Sequence, residues 1–240
     1  QQLLHEGTVE ESNFFSPDKI NEELVLSVHD ESYFIRLKNL ELDRREQRKS
    51  GFPHDERLIL REQIIMEGTR QCAEIALETG AAMNIAGGTH HAFANRAEGF
   101  CLLNDQAIAA KWLIDQKKVE NILIVDLDVH QGNGTAKIFE EHPNVFTFSM
   151  HGANNYPLKK EISDLDVPLE DGINDKAYLY ELEKYLDQIL TNFNPDFLFF
   201  QSGVDIIETD KLGRMAVSIE GCRKRDEIVF NLAKELEIPI

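Results

Sequence analysis

Apolar residues recur along this chain in two spacings. At helical spacing, Ile64, Ile65, Cys72, Ile75, Ala76 and Leu77 make one broad stripe and predict a helix over residues 61–78. A short apolar run at 81–86 predicts a strand that stops on Gly87-Gly88. Residues 104–117 predict a second helix, with Asn104 or Asp105 as its cap. The run Ile122-Leu123-Ile124-Val125 has the composition of a buried strand, predicted over 121–129. Then follow a short helix at 135–141, a strand at 144–149, a helix at 175–191, a strand at 195–201 (PDFLFFQ) and a helix at 220–236.

Strands and helices alternating in this way imply βαβ units, hence an α/β fold with a mainly parallel sheet covered on both faces. In such sheets ligands bind at the carboxyl ends of the strands. A chain of 240 residues can bury one sizeable core, and residues 1–240 read as one domain without repeats or low-complexity tracts. The net charge of −18 argues against general nucleic-acid binding, which needs a basic surface. An acidic surface can attract basic peptides or polyamines, although most acidic proteins are merely soluble. Three widely spaced cysteines without a CxxC argue against a disulfide framework and for a reducing, cytoplasmic setting. The apolar runs are strand-length, far below the roughly 20 residues of a membrane span, and no signal peptide is visible. No membrane association is expected.

The strand ends carry the chemistry. GGTHHAF, with His90 and His91, follows the strand at 81–86. DLDVHQGNG ends the strand at 121–129, and SGVD, ending in Asp205, follows 195–201. Side chains alternate along a strand, so Asp126, Asp128 and His130 share a face if strand geometry persists. Buried carboxylates cost several kcal/mol or more unless paired, and a cation removes that penalty. Carboxylate plus imidazole suits Zn²⁺ among other divalent metals. The plainer reading is a capped strand end with Asp bonded to loop N–H groups. Asp205 and the histidine pair at neighbouring strand ends favour the metal. A phosphatase with an aspartyl nucleophile also carries Asp-x-Asp at a strand end, but it wants Thr or Val where His130 stands. A catalytic zinc needs about three protein ligands and an open position. Asp128, His130 and Asp205 make three, which leaves His90 and His91 for proton transfer.

GGTHHAFANRAEGFCLLND, DLDVHQGNG and SGVDIIETDKLGRMAVS together resemble the zinc-dependent histone deacetylase superfamily, which includes bacterial acetoin-utilisation and acetylpolyamine amidohydrolase-like proteins. Gln131 and Asn133, where many members have His and Asp, make the chain most similar to the class IV branch and its bacterial relatives. The resemblance implies an arginase/deacetylase-like three-layer αβα fold. It implies Asp128, His130 and Asp205 as zinc ligands, His91 as general base and His90 as its charge-stabilising partner. Asp126 would bond His90, and Asn133 would orient His91. An Asn orients an imidazole without stabilising imidazolium as a carboxylate does, which would make His91 a weaker base. The resemblance also implies a structural K⁺ held by the Asp126 carboxylate, the Ser149 hydroxyl and the carbonyls of Asp128, His130 and Met150. Gly99 and Phe100 would line an acyl tunnel and Tyr156 would face it; without the resemblance, both aromatics read as core. The chain begins inside what looks like the family's first helix. It ends at residues 238–240, where a strand begins. The family's following Gly-Gly-Tyr loop, whose tyrosine polarises the substrate carbonyl, is expected beyond Ile240.

The resulting expectation is zinc-dependent hydrolysis of the amide bond of an acylated amine, with an acyl-lysine peptide or protein as substrate. One rival keeps the chemistry and takes an acetylpolyamine or another small amide. Another is a non-catalytic acyl-binding or scaffolding protein. The sequence beyond Ile240 separates these readings.

Overall fold

Strand β1 (Ile122–Asp126) is buried at every position and lies inside a parallel sheet. The computed structural model describes residues 2–240. Parallel neighbours flank β1: β2 (Val145–Gly152) on one side and β4 (Phe197–Gln201) on the other. Edge strand β3 (Leu165–Leu169) pairs with β2, giving the order β3-β2-β1-β4. The register sets Asp126 beside Ser149 and Gln201, so strand ends that carry polar groups coincide at one sheet margin.

The helices are α1 (Gln2–His5), α2 (Glu22–Leu26), α3 (Glu31–Lys38), α4 (Arg44–Ser50), α5 (Glu56–Thr79), α6 (Asp105–Asp115), α7 (Asn133–Phe139), α8 (Asp175–Asn192) and α9 (Ile219–Glu235). Alternation along β1 feeds two core layers. Leu123 and Val125 pack with Tyr178, Leu182 and Leu186 of α8 and Val229 of α9. Ile122 and Ile124 pack with Ala73 and Ala76 of α5 and with Ala107, Ala110 and Trp112 of α6. Each fully buried Leu or Ile contributes about 1.5–3 kcal/mol relative to exposure. A further cluster joins Val25, Phe34, Leu37, Met66 and Leu102 beneath α2–α5. The result is the expected three-layer αβα architecture. Among the described residues no helix is long and apolar enough to cross a membrane.

Residues 81–86, expected as a strand, do not form one. Asn84 turns the chain instead: its Oδ1 accepts Ala86 N–H at 3.1 Å, and its Nδ2 donates to Ile65 O and Thr69 Oγ1. Only the start of the segment pairs, through Ala82 N–H to Ile240 O and Ile240 N–H to Gly80 O, both at 3.0 Å. Pro239 O accepts Leu198 N–H at 3.0 Å, so residues 238–240 lie between β4 and residues 80–82. Asn104, not Asp105, caps α6, accepting Ala107 N–H.

Arg225 of α9 is fully buried and ties that helix to the strand ends. It donates to Leu127 O at 3.3 Å, to Gly203 O, and to Ser202 Oγ at 2.8 Å. Arg225→Leu leaves two buried carbonyls without their donor, so urea unfolding should show a loss of about 2–5 kcal/mol. A change within about 0.5 kcal/mol would mean that these bonds are replaced by water without cost.

Candidate active site

Beyond Asp126 the chain leaves strand geometry, for a reason written in its side chains. Asp126 Oδ1 accepts Asp128 N–H at 3.2 Å, and Asp128 Oδ1 accepts His130 N–H at 2.8 Å. Each aspartate thus bonds backbone two residues on, a local competitor of the ladder. The expected strand over 121–129 therefore stops at Asp126, and the three side chains part company. Asp126 turns to His90, with Oδ2 2.6 Å from Nδ1. Asp128 and His130 turn to Asp205, which follows β4: His130 Nδ1 lies 3.0 Å from Asp128 Oδ1 and 3.0 Å from Asp205 Oδ2. The other Asp205 oxygen accepts Val129 N–H at 2.9 Å, which fixes the carboxylate.

One ligand atom from each of Asp128, His130 and Asp205 lies within 4.8 Å of the others. A single imidazole proton between two carboxylates leaves charge uncompensated, whereas a divalent cation at the same point satisfies all three groups. The loop after β4 closes over this point. A Cβ on Gly203 would stand 2.4 Å from Asp128 Oδ2, so only glycine allows the approach. The donor set and this cradle fit a metal ion. Burial opposes protonation of His130, but its hydrogen bonds to Asp128 and Asp205 outweigh burial and raise it to about 9.

The histidine pair is placed by α7. Thr135 N–H, in the first turn, donates to His90 O at 3.0 Å and so finds a partner that the helix cannot supply. A Cβ on Gly134 would lie 2.3 Å from Ala92 O, so glycine lets this turn seat on the His90–Ala92 backbone. The two rings are 4.1 Å apart, and both are almost fully buried. Their surroundings differ. Burial pulls His90 down, but the charges of Asp126 and Asp128 outweigh it and lift its pKa to about 9. Burial, followed by the charge of His90, pulls His91 down to about 3. The two histidines are thus shifted in opposite directions, the kind of separation that acid–base chemistry uses.

His91 Nδ1 donates to Asn133 Oδ1 at 2.7 Å. Its ring meets that of Tyr156 at right angles, 5.1 Å between centroids. Residues 98–101 form a tight turn with Gly99 and Phe100 both at positive φ, +55° and +65°. Phe100 is exposed and packs edge-on against Phe52 at 5.5 Å. Gly99 and Tyr156 thus lie against the His91 ring, and Phe100, the next residue in the turn, packs on Phe52. Among the groups expected around potassium, Asp126 and Ser149 sit side by side in the register, and Ser149 Oγ bonds His151 Nδ1 at 2.9 Å.

Sequence reading passed over Glu98. Its Oε1 accepts Asn133 Nδ2–H at 3.0 Å and Tyr156 O–H at 2.8 Å. The partners stand 35 and 58 positions away, and no spacing rule connects them.

Comparison with known proteins gives one consistent result. A model of the histone deacetylase domain matches residues 1–240. An uncharacterized protein of Picosynechococcus sp. is 39% identical over 238 residues, covering 99% of this chain and 79% of that protein. Histone deacetylase 2 of Arabidopsis thaliana is 29% identical over 247 residues, covering 99% of this chain but 64% of the relative. Among solved structures, a histone deacetylase homologue from Aquifex aeolicus superposes with a TM-score of 0.84 at 26% identity, covering 95% of this chain and 67% of that one.

Two measurements follow from the metal geometry. Asp205→Ala should lose most of a bound divalent ion while circular dichroism shows the fold intact; full occupancy by elemental analysis would refute the ligand set. The pH dependence has a definite sign. The folded pKa of His130, about 9, lies above its ordinary 6.5. In the metal-free protein that proton contributes stability fully below about pH 6.5, and the contribution is lost as pH rises through about 9. A metal must displace the proton, so calorimetric affinity should rise by up to about tenfold per pH unit as the pH approaches about 9, then level off. An affinity independent of pH across this window would contradict the placement.

Proposed function

The chain belongs to the histone deacetylase family, and from that premise we propose that it hydrolyses the amide bond of an acylated amine, with acyl-lysine side chains as the substrate class. The observation that carries this reading is the adjacency of a three-ligand metal cradle to a buried histidine pair with unlike partners, Asp126 against His90 and Asn133 against His91. The proposed ligands are Asp128, His130 and Asp205, and the proposed ion is Zn²⁺, which fits one nitrogen plus carboxylate oxygens with a position left open. When bound there, zinc lowers the pKa of water toward about 7 and draws charge from the amide carbonyl.

The chain's own residues do the rest. His91, neutral and with its Nδ1–H held by Asn133, presents Nε2 as the acceptor of the water proton. His90, held as a cation by Asp126, faces the developing negative charge. An amine anion cannot leave, so a protonated histidine returns a proton to the departing nitrogen. Gly99, Phe100 and Tyr156 form the wall along which the acyl-lysine stem enters. A K⁺ at Asp126, Ser149 and the carbonyls of Asp128, His130 and Met150 would hold the strand ends from behind. The acidic charge of −18 suits a basic acyl-lysine peptide or an acylated polyamine, and a panel of both ranks them.

In protein that carries the whole catalytic machinery, His91→Ala should keep its metal and lose roughly 10²–10⁴ in turnover of an acetyl-lysine peptide. His90→Ala should lose less, because its role is electrostatic. Near-parental activity in His91→Ala would reverse the assignment.

A further inference from the structure

We propose that Glu98 is a positioning residue: its carboxylate locks the Asn133 amide in the one orientation that leaves His91 Nε2 free to accept a proton. This inference rests on the deacylase reading of the site. An asparagine side chain has a donor end and an acceptor end of nearly equal shape, so shape alone does not decide which end meets a neighbour. With Oδ1 toward His91, the imidazole must carry its proton on Nδ1, and Nε2 keeps its lone pair. With the amide turned over, Nδ2 would donate to Nδ1, the proton would move to Nε2, and the ring could not act as a base.

Glu98 removes the ambiguity. Its Oε1 stands 3.0 Å from Asn133 Nδ2, and a carboxylate only accepts. Turning the amide over would press an oxygen against that carboxylate. The carboxylate itself is held by donors. Tyr156 O–H reaches the same oxygen at 2.8 Å, and Arg96 Nε lies 3.2 Å from the other. Burial, then the bond to and charge of Glu98, keep the Tyr156 phenol above its ordinary pKa, so it serves as a donor. The Glu98 side chain is mostly buried beside the turn at Gly99, and its bond to Asn133 is partly shielded from water. His90 needs no such relay, because the Asp126 carboxylate holds its Nδ1–H directly. Asn133 in the equivalent place needs one further link, and Glu98 supplies it.

The test is a double-mutant cycle in full-length protein, read by kinetics and by ¹⁵N NMR of the imidazoles. Glu98→Gln keeps the shape but offers both a donor and an acceptor. It should lower kcat on an acetyl-lysine peptide roughly 10–100-fold, the usual effect of a group behind a functional ligand. KM should stay within about twofold, and His91 should change from a single Nδ1–H tautomer to a mixture. In the Asn133→Asp background the new carboxylate fixes His91 by itself and faces Glu98 at close range. There Glu98→Gln should leave kcat unchanged or raise it, a reversal that a merely structural role does not produce. An equal loss in both backgrounds, or an unchanged His91 tautomer in Glu98→Gln, would overturn the proposal. If the parent hydrolyses no acyl-lysine peptide, the functional reading fails, while the NMR arm still decides the role of Glu98. Should Glu98→Gln not fold, Glu98→Asp, which draws the carboxylate back by one methylene, takes its place with the same expected reversal.

Discussion

Negative charge at the buried margin of the sheet is the constraint on which the rest of this structure depends. Asp126 ends β1 at 4% exposure, Asp128 stands two residues on, and Asp205 follows the neighbouring β4. Unpaired, each carboxylate would cost several kcal/mol. The chain answers in two ways. Asp126 takes the His90 imidazole at 2.6 Å. Asp128 and Asp205 converge on His130 and leave a cradle that suits a cation. Parallel pairing of β1 with β4 brings these carboxylates together.

The same constraint separates the two histidines. His90 and His91 are adjacent and almost equally buried, yet only His90 has a carboxylate against its Nδ1. An amide against His91 opposes burial only weakly, and the charge on His90 deepens the effect. The opposite shifts of the two rings follow chiefly from their unlike surroundings, with aspartate against one and asparagine against the other. The interlock of α7 with the His90–Ala92 backbone keeps that difference in place.

What was legible in the sequence was what is local or periodic. β1, β4, α8 and α9 follow from continuous apolar runs or helical stripes that the core then buries. The motifs after β1 and β4 were legible because residue type and position both point to a margin of the sheet, whereas His90 and His91 follow a loop and not the expected strand. The failures have particular causes. Residues 81–86 have strand composition, but the Asn84 side chain bonds backbone in a way that turns the chain. The Asp126 and Asp128 carboxylates bend the backbone by accepting the N–H groups of Asp128 and His130, so alternation stops where the site begins. Short helices α2–α4 bury few residues each, and β3 carries Pro168, which an edge position tolerates. Glu98 and Arg225 act through partners far away in sequence, so their roles exist only after folding.

The central claim is that one imidazole and two carboxylates from adjacent strand ends hold a zinc ion beside a free histidine base. X-ray absorption at the zinc edge of the loaded protein tests it most directly. The account predicts a first shell of nitrogen and oxygen alone at about 2.0–2.2 Å, with the outer scattering of one imidazole. Sulfur at about 2.3 Å, or a shell of several imidazoles, would place the metal on other residues and contradict the account.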